Sequence, residues 1–158
     1  MRRTGGLLVL AALLWTGPVL AAAKPRGCFS ANEIAAERIV RQGVRLREGA
    51  RGCDGAPWHY HTWGLWQQVD QRFGRQFARQ TQVRQSAFVR EFSKDFENRL
   101  SQSTSRMVTH YRDYPLSDVY CQSIQKQLQD TLKRGWGAFV SQASIAPDVV
   151  EFIYNSCQ

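Results

Sequence analysis

The chain is 158 residues long and basic, with 21 lysines and arginines against 13 acidic residues and a net charge of +8. That excess favours acidic partners, whether protein, lipid headgroup, cell-wall polymer or nucleic acid, without choosing between them. Four cysteines with no Cys-x-x-Cys among them exclude a thioredoxin-like redox site, a zinc ribbon and covalent haem attachment, each of which needs its cysteines close together on one turn.

Arg2 and Arg3, the apolar run from Leu7 to Trp15 and the small residues Ala21-Ala22-Ala23 follow the plan of a secretory leader. A membrane anchor needs about 18 to 20 unbroken apolar residues, and Thr16-Gly17-Pro18 interrupts this run sooner. Pro25-Arg26-Gly27 lacks the small and apolar residues that precede a lipidated cysteine, and the paired arginines lack the rest of a twin-arginine pattern. Residues 1–23 are therefore expected to be a cleaved Sec-type signal peptide. Residues 24–158 are expected to form one helical domain of about 135 residues, enough for a core. Without Arg2 and Arg3 the net charge is +6. The short leader and the absence of any Asn-x-Ser/Thr sequon suit a bacterial periplasm, a compartment that disfavours nucleic acid as the partner.

Ser30-Ala31-Asn32-Glu33 is a capping box, the serine accepting from the third amide while the glutamate reaches back to the cap. It predicts a first helix with Ile34, Ile39, Val40, Val44 and Leu46 on a broad apolar side, ending near Glu48-Gly49 where glycine permits a left-handed cap. Arg38, Arg41 and Arg45 make a basic ridge on the same helix. Cys53-Asp54-Gly55-Ala56-Pro57 reads as the following turn.

His59 and His61 raise the question of metal. In an extended segment they project to one side and chelate a copper or zinc ion as a pair. On a helix starting at Pro57 they stand about 200° apart and share nothing. The only nearby third donor in sequence is Asp54, with His110 far along the chain, and a tight site needs three or four donors. The segment is therefore read first as a helix entrance, with Trp58, Tyr60, Trp63 and Trp66 wedged into the core.

From Trp58 to Tyr114 there is no proline, and only Gly64 and Gly74 interrupt an otherwise helical pattern. Trp66, Val69, Phe73 and Phe77 form one apolar stripe, Phe88, Phe92, Phe96 and Leu100 a second, and Met107, Val108 and Tyr111 its end. A single rod of that length spans roughly 75 Å, far beyond a compact body of this size, so the chain must reverse. The stripe lapses between Ala78 and Ser86, which predicts the reversal there, with Ser101-Gln102-Ser103-Thr104-Ser105 as the competing break. Arg72, Arg75 and Arg79 form a second basic ridge, the candidate partner-binding residues. Glutamines 67, 68, 71, 76, 80, 82 and 85 surround it, which fits a hydrated or partner-facing surface better than a lipid-facing one.

Chemistry is sparse. Glu91 and Asp95 are spaced as a carboxylate pair, but Lys94 and Arg99 stand at salt-bridge spacing and the bland reading is a charged outer face. Ser117, His110 and Asp118 form a trio that only geometry can turn into a catalytic site. No Gly-x-Ser-x-Gly elbow, Gly-rich phosphate loop or His-Glu-x-x-His is present, and no cofactor is implied. Tyr114-Pro115 ends the central region. Leu116, Tyr120, Ile124, Leu128 and Leu132 then mark a further helix, ending between Gly135 and Ser141, and Ala146-Pro147-Asp148 opens a last short one with Val149, Phe152 and Ile153 inward.

These elements make an all-α, up-and-down bundle of four to five helices. A first helix over 31–48 is about 27 Å long, and bridged cysteines need Cα atoms within about 7 Å, so Cys28 cannot reach Cys53. Following the chain down, up, down and up pairs Cys53 with Cys121 and Cys28 with Cys157. The functional expectation is a non-enzymatic exported protein that binds another macromolecule through a basic face, as an inhibitor, immunity, envelope-assembly or chaperone-like protein. A copper- or zinc-binding protein using His59 and His61 is the alternative, and an envelope hydrolase comes third.

Overall fold

A computed structural model describes residues 27–146 together with Ser156 and Cys157. The expected leader, 1–23, and the expected last helix beyond Ala146 lie outside the described residues. Among the described residues five α-helices follow one another: α1 Ala31–Asp54, α2 Thr62–Phe92, α3 Phe96–Arg112, α4 Asp118–Arg134 and α5 Trp136–Ile145, with a short 3-10 turn Ser93–Asp95 between α2 and α3. The only extended pairing among the described residues is a parallel bridge between Phe29 and Ser156.

The contacts establish an up-and-down order. Arg90 meets Glu33, Arg84 meets Glu37, and the Thr62 hydroxyl donates to Ala50 O at 2.8 Å, so α2 climbs back along α1. Arg84 also reaches Ser103 and Thr104, each at 2.9 Å, so α3 descends beside α2. Gln42 donates to Gln127 at 2.9 Å and Cys53 bonds to Cys121, so α4 climbs along α1. The α5 helix then folds down over α4, with Gln142 Nε2 donating to Asp130 Oδ2 at 3.2 Å.

The capping box forms as expected, with Glu33 N–H donating to Ser30 Oγ and Ser30 N–H donating to Glu33 Oε2. The end of that helix differs from expectation: α1 continues past Glu48-Gly49 to Asp54. A Cβ at Gly49 would stand 2.8 Å from both Ile124 Cδ1 and Tyr120 Oη. The glycine is there to let α4 come close, and its backbone stays helical. The core built on this contact is one cluster including Ile39, Leu46, Trp66, Val69, Phe73, Ile124, Leu128 and Phe139. Phe77 adds edge-on contacts to Trp136 and Phe139, both at 5.0 Å between ring centres.

The reversal lies elsewhere than expected. The α2 helix runs unbroken through Ala78–Ser86, and the chain turns at Ser93–Asp95, where Ser93 takes a positive φ of 45°. The apolar stripe lapses because its inner position is occupied by Arg84, which is 4% exposed and bound to Glu37. Ser101–Ser105 is likewise no break: it lies within α3 and supplies the hydroxyls that Arg84 engages. The helix expected from Leu116 ends at Arg134, because Gly135, at φ 86°, stops it and opens α5, a helix the sequence reading had merged into its predecessor.

Both disulfides pair as the bundle order required, Cys28 with Cys157 and Cys53 with Cys121, at Cα separations of 5.0 and 5.4 Å.

Candidate functional site

Packing of Trp66, Val69 and Phe73 against the core fixes the rotation of α2, and at about 100° per residue that rotation turns Gln68, Arg72, Arg75 and Arg79 outward. All four are exposed, as are Gln67, Gln71, Gln82 and Gln85, so the glutamine-rich surface expected here exists. Arg72 and Arg79 lie about 10 Å apart along the axis, with Arg75 between. No acidic residue occurs between Asp70 and Glu91. The positive charge of the ridge is therefore uncompensated along its own helix.

The three arginines are not equivalent. Arg72 lies over the Phe73 ring and its Nη1 donates to Leu132 O at 2.6 Å, near the carboxyl end of α4 where Lys133 and Arg134 follow. This hydrogen bond satisfies a terminal carbonyl and adds a cation where the helix dipole is negative. Arg75 and Arg79 have neither ion-pair nor hydrogen-bond partners among the described residues. Two guanidinium forks on one exposed face suit bidentate capture of carboxylate or phosphate.

The ridge expected on α1 is not a surface. Arg41 is 5% exposed and pairs with Glu37 at 3.4 Å, while Arg45 is half-buried and donates to Gln42 and Gln127, both at 3.3 Å. The α1 helix is enclosed by the other four helices, so its polar side became an interior network. Glu91 and Asp95 sit in separate ion pairs: the Glu91 side chain, 6% exposed and so not on the outer face expected for it, pairs with Arg90 at 2.6 Å, while the exposed Asp95 pairs with Arg99 at 2.8 Å, which holds the Asp95 carboxyl below the usual carboxylate range.

His59 and His61 lie in the turn ahead of α2, which begins at Thr62 and not at Pro57. Both are exposed and both adopt positive φ, 52° and 50°, so neither the extended nor the helical geometry considered for them applies. Their neighbour holds the turn in place. Tyr60 N–H donates to Cys53 O at 3.0 Å, its carbonyl accepts from Gln125 at 3.0 Å, and its hydroxyl donates to Asp118. That last bond raises the Tyr60 pKa, because ionising the phenol would remove the donor and face the carboxylate with a second anion. Asp54 is likewise engaged, accepting from Trp63 N–H at 2.9 Å. Among the described residues no three His, Cys, Asp or Glu side chains gather as metal ligands.

The structure does not bring the trio together by hydrogen bonds. Ser117 caps α4, Asp118 accepts from Tyr60 and Gln122, and His110 packs edge-on against Tyr111 and Tyr114. His110 Nε2 is buried without a hydrogen-bond partner among the described residues. Among those residues no helix is long and apolar enough to cross a membrane. Compared with known proteins, the chain matches no family model, no curated protein and no solved structure.

Proposed function

We propose that the protein is an exported, periplasmic, disulfide-stapled binder that holds an acidic protein surface through the arginine face of α2, without catalysing a reaction. The observation that carries this reading is the exposure of Arg75 and Arg79 without ion-pair or hydrogen-bond partners among the described residues, on a stretch of α2 free of acidic residues from Arg72 to Arg90. Like charges at helical neighbour spacing cost a helix a little, and an anionic partner removes that cost. The glutamines around the ridge favour a hydrated protein surface over a bilayer, since they offer hydrogen bonds in place of a clean apolar face. Two disulfides fit a protein that matures outside the reducing cytoplasm.

The test uses wild-type protein and an Arg75→Glu/Arg79→Glu variant as baits in a native envelope extract, keeping Arg72 because it also binds the end of α4. A defined acidic protein retained by the wild type and lost from the variant, at unchanged thermal stability, supports the reading. Equal retention by both baits overturns it.

A further inference from the structure

We propose that the partner element held by the arginine face of α2 is an acidic α-helix, laid along α2 beside Gly74 and Ala78 with its carboxylates on Arg75 and Arg79. This rests on the reading of that face as the binding surface and adds the shape of what binds there. Gln68, Arg72, Arg75, Arg79, Gln82 and Ser86 follow one another at steps of four and three, and all six are exposed. Alternating steps of four and three mark a nearly straight seam along a helix, here about 27 Å long, and such a seam packs a second helix at a shallow angle.

Packing inside the bundle does not account for Gly74. Glycine weakens a helix interior relative to alanine, so it needs a reason. In α1 a neighbouring element supplies one: a Cβ at Gly43 would stand 3.4 Å from Phe77, at Gly49 2.8 Å from Ile124, and at Gly52 3.0 Å from Leu116. A Cβ at Gly74 would meet nothing within 4 Å among the described residues. Ala78, one turn further on, is exposed. At about 100° per residue, Gly74 and Ala78 form low ground on one flank of the outer face, Gln71 and Gln82 its crest, and Arg75 and Arg79 the other flank. Over that low ground a second helix approaches to an interaxial distance of about 8 Å, close enough for its side chains to reach the arginines.

Charge selects what that helix carries. Arg75 and Arg79 stand about 6 Å apart along the axis, and carboxylates three or four residues apart on a second helix repeat at about the same distance. Three same-side carboxylates on a strand span about 13 Å, against about 10 Å from Arg72 to Arg79, so a strand falls out of register with the ridge. No acidic residue occurs between Asp70 and Glu91 to repel them.

The test uses fluorescence anisotropy with two labelled peptides of equal net charge. One is a lactam-stapled helix with glutamates at alternating steps of three and four; the other carries the same glutamates around a central pair of prolines that breaks the helix. The stapled helix is expected to bind the wild type at least about tenfold more tightly than the broken one. A Gly74→Gln/Ala78→Gln variant adds bulk without charge where there is room for it, keeps the helical circular-dichroism signal because glutamine is a good helix former, and is expected to lose most of that preference. Equal affinities for the two peptides, no binding of the stapled helix, or a preference unchanged in Gly74→Gln/Ala78→Gln overturns the acidic helix. An Arg75→Glu/Arg79→Glu variant separates this inference from the reading beneath it. If the wild type binds both peptides equally and this variant binds neither, the helix falls and the acidic partner stands; if this variant binds as the wild type does, both fall.

Discussion

Glu37 of α1 and Arg84 of α2 form an ion pair in the interior, 3% and 4% exposed, and the same guanidinium donates to Ser103 and Thr104 of α3. One side chain thus ties three helices together. Arg84→Ala leaves the Glu37 carboxylate short of its closest cation inside the bundle, and is expected to cost about 3–5 kcal/mol in urea unfolding. Glu37→Leu combined with Arg41→Met and Arg84→Met is expected to lose far less, because the carboxylate and both buried guanidinium groups that face it go together. A triple variant as unstable as Arg84→Ala would show that the cluster stabilises by more than mutual neutralisation.

Gly49 is the narrowest point between α1 and α4, with Ile124 and Tyr120 each 2.8 Å from where a Cβ would stand. Ile124 is fully buried and cannot swing away without disturbing Leu128 and the core around it. Gly49→Ala is expected to destabilise by about 1–3 kcal/mol although alanine is the better helix former. A stabilised variant in thermal melting would mean that the helices separate freely there.

Glu33 accepts from Arg90, and that contact holds its pKa near 2 in place of the ordinary 4.5. The pair contributes stability that is complete above the unfolded pKa and is lost as pH falls from about 4.5 through 2. The melting temperature of the wild type is expected to fall across that window, and Glu33→Gln is expected to lie lower at neutral pH and fall less steeply. Parallel curves for the two proteins would remove Glu33 from the acid response.

The Cys53–Cys121 disulfide closes a long loop, with a sequence separation of 68. Constraint of the unfolded chain by a loop of that size is worth about 4 kcal/mol in the chain-entropy account. Replacing both cysteines by alanine is expected to lower stability by about that amount or more, since both sites are sealed in the interior and the sulfurs leave a void. A loss below about 1 kcal/mol in chemical denaturation would mean that the Tyr60 turn and α4 hold each other without the bond.

Much of this fold is legible in the sequence because its signals are local. The Ser30–Glu33 box, the Trp66–Val69–Phe73 stripe and the length of the first helix were enough to order the bundle and pair all four cysteines. The misread features share one cause: their reason lies across the bundle. The lapse of the stripe between Ala78 and Ser86 reads as a reversal, and only Glu37, Ser103 and Thr104, brought in from other helices, make Arg84 an interior residue there. Gly49 reads as a helix end, while its partner Ile124 is 75 positions away. Arg41 and Arg45 read as an outer ridge until four helices close around α1. The positive φ of His59 and His61 has no signal in sequence, since neither residue is glycine and the hydrogen bonds that hold their turn come from Cys53, Asp118 and Gln125. The ridge at Arg72, Arg75 and Arg79 was legible because exposure follows directly from the stripe on the opposite side of the same helix.

The 5.0 Å between the Cα atoms of Cys28 and Cys157 has an engineering consequence. A polypeptide that enters and leaves at one point can be spliced into a loop of an unrelated carrier with short linkers, because the carrier's backbone need not be stretched to admit it. In a segment cut to residues 28–157 the same adjacency allows Cys28 and Cys157 to be bridged by a short peptide and new ends opened elsewhere, and the turn at Ser93–Asp95, exposed throughout, is the natural place for the cut.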